Sequence, residues 1–165
     1  MYTLKLDVGC GMRKLEGAIG VDYCRDSEAD VIADAEHLPF RGETFESVHS
    51  QVLLEHLPNP FNGLKEQYRV LRKGGKLVCI TDNASYYGWS LSPTYRHECI
   101  HEDHYCIFYP LNVIRMFRLL KLKKIRARFV YTPLGKLGRF FAFLCRLKLV
   151  KRDVLYNRFK VVGLK

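Results

Sequence analysis

Acidic residues are nearly missing from the last third of this 165-residue chain: from Leu111 to Lys165 only Asp153 is acidic, against 16 Lys and Arg. A segment so short of carboxylates cannot neutralise itself through internal ion pairs, and its net charge of +15 is exceptional beside the −5 of residues 1–110. Long apolar runs are also missing. None approaches the roughly 20 residues that a membrane-spanning helix requires. The six cysteines (10, 24, 79, 99, 106 and 145) are scattered and form no CxxC pair, and a disulfide framework is expected mainly in smaller secreted chains. Reduced thiols in a cytoplasmic protein are the expectation. The opening MYTLKLDVGCG has no signal-peptide character and reads directly into a strand. Repeats and low-complexity linkers are absent, and the length fits one domain over 1–165.

What is present is a regular alternation of short apolar runs and turn signals. Leu4–Val8, Ala18–Val21, Asp30–Ala33 and Phe45–Ser50 read as four buried strands. Pro58-Asn-Pro60 then interrupts the chain, and Phe61, Leu64, Tyr68 and Leu71 share one face of a helix that Gly74-Gly75 closes. Lys76–Thr81 reads as a fifth strand. Pro110 stands in the first turn of a helix over Leu111–Leu120, and Ile125–Tyr131 and Arg158–Leu164 read as two late strands. The stretch Lys136–Lys148 has helical spacing, with Leu137, Phe140, Phe141, Leu144 and Leu147 on one side. The expected architecture is α/β: a Rossmann-like three-layer sandwich with a mostly parallel sheet and an antiparallel edge strand.

In such a sheet ligands bind beyond the carboxyl ends of the strands, so the residues that end them carry the chemistry. Three of the first strands end in an acid. Asp7 precedes Gly9-Cys10-Gly11, whose glycines allow a sharp turn and close approach of the backbone to a ligand. Asp22 ends the second strand, where a carboxylate can accept from two ribose hydroxyls, and Asp34 ends the third, where it can accept from an adenine amino group. A Gly-x-Gly alone is weak; the ordered series of acids makes it specific.

The segments LDVGCG (6–11), GVD (20–22), ADAEHLPF (33–40), FESVHSQVLLEHL (45–57) and LRKGGKLV (71–78) together resemble the class I S-adenosylmethionine-dependent methyltransferases, closest to the ubiquinone-biosynthesis-like group. The resemblance covers about the first half of the chain. It implies a cofactor-binding half over 1–82 and a substrate side, with basic helices and edge strands, over 83–165. The implied cofactor is S-adenosyl-L-methionine. Asp7, Gly9, Cys10 and Gly11 match the loop around its methionine part, Asp22 and Tyr23 the ribose region, and Asp34 and Ala35 the adenine contacts. Ser50 and Gln51 match the end of strand four beside the sulfonium, and Glu55-His56 the element after it. Two departures stand out: the third glycine of the loop is absent, with Arg13 in its region, and Met12–Gly17 is too short for the usual three-turn helix. At 1.5 Å per residue six residues give one turn and a linker, which leaves one face of the sheet less covered and the site more open.

Methyl transfer from a sulfonium needs positioning more than acid–base help. Candidate bases lie in residues 81–110, where His101 and His104 match a His-x-x-His pattern of the family; the other reading is that these histidines only order the loop. His97, Cys99, His101, His104 and Cys106 fit no standard zinc spacing, so no metal is expected. The Asn/Asp-Pro-Pro-aromatic motif of base-directed amino methylation is missing after strand four, where HSQVLLEH stands. A small-molecule or lipid-like acceptor is therefore expected. The basic stretch 135–152 has three readings: an amphipathic helix packed on the sheet or on a second subunit of a homodimer, a contact with an anionic inner-membrane surface, or one with RNA. A non-catalytic S-adenosylmethionine-binding accessory subunit and an RNA-directed methyltransferase are the alternative functions.

Overall fold

The computed structural model describes residues 4–86, 104–130, 143, 147 and 156–165. Seven strands form one sheet: β1 (Lys5–Val8), β2 (Ile19–Asp22), β3 (Val31–Ile32), β4 (Phe45–Gln51), β5 (Leu71–Asp82), β6 (Lys123–Val130) and β7 (Arg158–Leu164). Their order across the sheet is β3-β2-β1-β4-β5-β7-β6. The first five are mutually parallel, and β7 runs antiparallel to both β5 and β6. The mixed edge expected from the two late strands is thus this β7–β6 pair, with β7 inserted between β5 and the outermost strand.

Helix α1 (Pro60–Val70) follows from local chemistry. Pro60 stands at its first position, and the Asn59 side chain accepts from the Asn62 N–H at 3.1 Å. Its buried face is Gly63, Leu64, Gln67 and Val70. Helix α2 (Pro110–Leu119) begins in the same way, with the Asn112 side chain accepting from the Tyr109 N–H at 3.0 Å, and it buries Val113 and Phe117. The hydrophobic core joins both helices to Leu6, Val8, Val21, Val48, Leu77, Cys79, Phe159 and Val161. The registers Leu6↔Val48, Val48↔Leu77 and Cys79↔Val161 put those strand residues on one face of the sheet, so α1 and α2 form one layer on that face.

The opposite face carries Lys5, Asp7, Ser47, His49, Gln51, Lys76, Val78, Ile80, Lys160 and Val162. Most of these are half-buried or exposed, and among the described residues no helix lies against them. The link Met12–Gly17 contains turns and no helix, in keeping with its length. The stretch Lys136–Lys148 lies almost entirely outside the described residues.

One boundary differs from expectation. The helix stops at Val70, and β5 starts at Leu71 instead of Lys76. Leu71 is fully buried and pairs with Phe45, itself fully buried, before the register shifts between Phe45 and Ser47. Burial of these two side chains against each other extends the strand back through the glycine pair.

Candidate functional site at the strand ends

The joint between β1 and β2 is the best-defined part of the site. Gly9 and Gly11 both adopt positive φ, +70° and +51°, a region where a Cβ is strained. A Cβ on Gly9 would also come within 2.7 Å of the Leu53 side chain, whereas the space around the Gly11 α-carbon is open. The N–H groups of Gly9 and Cys10 donate to Val21 O at 2.8 and 3.2 Å. Gly11 N–H donates to one carboxylate oxygen of Asp22 at 2.8 Å, and Cys24 N–H to the other at 2.9 Å. Asp22 is half-buried, and its carboxylate is fixed from both sides. Tyr23, beside it, is 82% exposed.

Asp7 is used differently. Its carboxylate is 3% exposed. One oxygen accepts from Leu15 N–H at 2.8 Å, and the other lies 3.1 Å from His49 Nδ1 on the neighbouring strand. The group therefore holds the short link between β1 and β2, and a ligand ammonium would have to compete with those partners. Lys14 completes the clamp, with Nζ 2.7 Å from Asp30, whose other oxygen accepts from Gly20 N–H. Cys10 is buried, and desolvation first, then the charges of Asp22 and Asp7, push its thiol up to about 11. It is a packing residue of the loop, not a thiolate.

The segment after β3 forms the next wall. Asp34 accepts from Glu36 N–H at 2.8 Å and pairs with His37 at 2.9 Å. The bond from His37 holds the Asp34 carboxyl below its ordinary range and, reciprocally, raises the imidazole. Both side chains are largely exposed, so the pair is solvent-screened. Ala35 is buried. This segment is braced on α1: Arg69 donates to the carbonyls of Phe40 and Leu38 and pairs with Glu66, which accepts from Leu38 N–H.

On the acceptor side the strand pleat separates two expected neighbours. Ser50 faces the helical layer, 1% exposed, and its Oγ has no hydrogen-bond partner in good geometry. Gln51 faces the open side and is exposed. The next residue, Val52, sits at φ +52°, which is rare for a β-branched side chain and costs about 1–3 kcal/mol. Its N–H donates to Ile80 O at 2.8 Å, which fixes it there.

Behind this corner lies Glu55, in a 3-10 turn over Leu54–His56, which composition and motif reading treated only as part of a matched element. It is 2% exposed. Its carboxylate accepts from the Thr81 hydroxyl at 2.8 Å and Asp82 N–H at 3.3 Å, while its carbonyl accepts from Tyr105 N–H and Cys106 N–H. Burial raises its pKa, and its negative charge adds to the burial that pushes the Cys79 thiol to about 12. By these bonds Glu55 ties the end of β5 to the segment carrying His104. The His104 ring meets His56 edge to face, with centroids 4.4 Å apart. His101 lies outside the described residues, and among the described residues no metal-binding group of His, Cys, Asp or Glu occurs. No described helix is long and apolar enough to cross a membrane.

The methyltransferase domain family matches residues 6–79. An uncharacterized protein of Methanocaldococcus jannaschii is 32% identical over 135 residues, covering 75% of this chain and 65% of that one. The chloroplastic 2-methyl-6-phytyl-1,4-hydroquinone methyltransferase 2 of Oryza sativa subsp. japonica is 52% identical over 47 residues, covering 28% of this chain and 13% of that one. The chain thus spans less than two thirds of the length of either relative. Among solved structures, a SAM-dependent methyltransferase from Archaeoglobus fulgidus superposes with a TM-score of 0.75 at 18% identity, over 99% of this chain and 86% of that one; at that identity the likeness is one of fold. Over residues 6–79 the chain is similar to the methyltransferase domain family, a likeness in keeping with S-adenosyl-L-methionine as cofactor.

Proposed function

We propose that the protein is an S-adenosylmethionine-dependent methyltransferase, a single domain over residues 1–165 acting on a small-molecule or lipid-like acceptor. The observation that carries this reading is the β1–β2 joint. The Asp22 carboxylate is fixed by Gly11 and Cys24 N–H groups beside a glycine turn with open space at Gly11, a fit for a ribose diol next to a chain approaching the backbone closely. The cofactor supplies an electrophilic methyl group. The residues around it bind and orient: Gly9, Cys10 and Gly11 along the methionine part, Asp22 and Tyr23 at the ribose, Asp34 and Ala35 at the adenine, Ser50 and Gln51 toward the acceptor. His104, held against His56 and tied to Glu55 through the adjacent Tyr105, is the base for an acceptor that needs deprotonation, with His101 the other candidate. The hydroquinone named for the rice relative favours an apolar, ring-bearing acceptor.

The experiment is a thermal melt with S-adenosylmethionine and S-adenosylhomocysteine, followed by transfer of methyl label to metabolite, lipid and RNA pools. Stabilisation with label in the metabolite or lipid pool supports this reading. Stabilisation without label in any pool would point to a cofactor-binding accessory subunit, and no stabilisation would refute the site itself. A second reading, in which RNA is the acceptor, draws support from the strongly basic C-terminal third of the chain.

A further inference from the structure

The register of the sheet lines up side chains in rows on the face against which no described helix lies. One row runs Arg126–Val162–Val78–His49–Asp7, and the next Arg128–Lys160–Ile80–Gln51. A third runs Leu164–Lys76–Ser47–Lys5. Arg126, Arg128, Lys76, Lys160 and Lys5 are therefore on the same face, the first three exposed and the others half-buried. Only two acids belong to these strands on this face, and both are engaged: Asp7 with His49, Asp82 with Arg158 at 2.9 Å. Among the described residues no carboxylate pairs with the five cations. Arg128 and Lys160 stand directly opposite each other across β6 and β7, an arrangement of like charges that weakens a sheet unless an anion lies over it.

We infer that this face binds the phosphate backbone of single-stranded RNA. A cationic surface that tracks a backbone is the general basis of such binding. A lipid surface is less well matched, because interfacial docking buries protruding apolar side chains. None of the large exposed hydrophobics lies in these rows; Val78 is buried and Ile80, Val162 and Leu164 are half-buried. The row through Arg128 and Lys160 ends at Gln51, three strand spacings or about 14 Å away. A strand held by these cations therefore runs toward the acceptor side of the crevice. The inference concerns binding and stands apart from methyl transfer.

The test is fluorescence anisotropy of a labelled 20-mer of uridine with the whole chain, in 50 and 200 mM salt. With five phosphate contacts at a slope of about −0.7 each, affinity should fall roughly 100-fold between the two. Arg126→Gln/Arg128→Gln/Lys160→Gln should flatten the slope to about −1.4 and weaken binding at least tenfold. Arg126→Lys/Arg128→Lys, which keeps the charges, should bind as the wild type does. Arg115→Gln/Arg118→Gln, on α2 in the layer across the sheet, should change binding less than threefold. Thermal melts of each variant establish that it is folded. No binding in 50 mM salt, unchanged binding by the triple variant, or equal loss from the α2 pair would overturn the inference. Loss by the triple variant of binding to phosphatidylserine vesicles, with uridine binding intact, would also overturn it and assign the face to lipid.

Discussion

Replacing Asp22 by alanine tests the ribose assignment. Two backbone donors, Gly11 N–H at 2.8 Å and Cys24 N–H at 2.9 Å, now end on its carboxylate. Charge-assisted bonds contribute about 1.5–3 kcal/mol each when buried. Asp22 is half-buried, so water replaces part of each bond and a combined stability loss of about 2 kcal/mol is expected. For a chain of this size that lowers the melting temperature by about 4–8 °C without ligand. Bonds from the ribose hydroxyls to the same carboxylate are lost as well, so the Kd for S-adenosylmethionine should rise by about 1.5–3 kcal/mol, or roughly 10- to 150-fold. Calorimetric titration with S-adenosylhomocysteine measures the second effect on the folded fraction, and a ligand-free melt measures the first. Asp22→Asn separates them further, because the amide oxygen still accepts one backbone N–H while the charge is gone. A Kd within twofold of wild type in Asp22→Ala, together with the lowered melting point, would show that Asp22 only builds the loop and that the ribose lies elsewhere.

Three other substitutions probe the ground around the site. Gln67, fully buried on α1 with neither amide atom hydrogen-bonded, should gain about 1–3 kcal/mol on change to Met, which keeps its length. The melt should rise about 2–4 °C per kcal/mol, and a fall would mean that the amide is satisfied in solution. Val52→Gly removes strain of about 1–3 kcal/mol against about 1 kcal/mol of added chain entropy. The melting temperature should then rise by about 2–4 °C, and a drop of several degrees would show that the side chain's packing outweighs its backbone strain. Glu55→Gln keeps bonds to both Thr81 and Asp82 N–H, since its amide donates to the hydroxyl and accepts from the backbone. The raised carboxyl of Glu55 binds its proton more tightly folded than unfolded, so its contribution is full below the unfolded value and is lost as pH rises through the folded one. Urea midpoints should therefore favour the glutamine variant increasingly from about pH 4.5 upward, and a gap that stays flat between pH 4 and 8 refutes the burial argument.

What was legible in the sequence was local. An apolar run ended by an acid identifies Asp22 and Asp34, and a glycine pair after the first such run marks a turn, because these signals involve neighbours along the chain. Asp7 was legible as a residue but not as a role. Its partners, Leu15 N–H and His49, lie 8 and 42 residues away, and only register brings β1 and β4 together. The same holds for Ser50 and Gln51: adjacent in sequence, they point to opposite faces, and the burial of Ser50 follows from its alignment with the buried Cys79. Glu55 was legible only as part of a matched element, since a carboxylate in LEH looks exposed until Thr81 is placed over it. The pairing of His104 with His56 depends likewise on two backbone bonds to the Glu55 carbonyl.

The short link between β1 and β2 joins these features into one physical cause. With only Met12–Gly17 available, no helix covers the sheet there, and the turn is held instead by side chains. Asp7 holds Leu15, Glu28 holds Lys14 N–H, and Asp30 holds both Gly20 and the Lys14 ammonium. Carboxylates so engaged give the glycine turn its shape before any ligand arrives, which lowers the ordering cost of binding. Asp22 and Asp34 are less buried than Asp7, each with both oxygens bonded only to neighbouring loop groups. The absent helix bears on the same surface: rows of the sheet that begin at Asp7 and Gln51 run outward to Arg126 and Arg128 with no helix against them among the described residues. The glycine turn and the near end of the cationic face thus both border the same short link, and a variant that lengthened that link into a full helix would be expected to mask the near end of those rows while freeing Asp7.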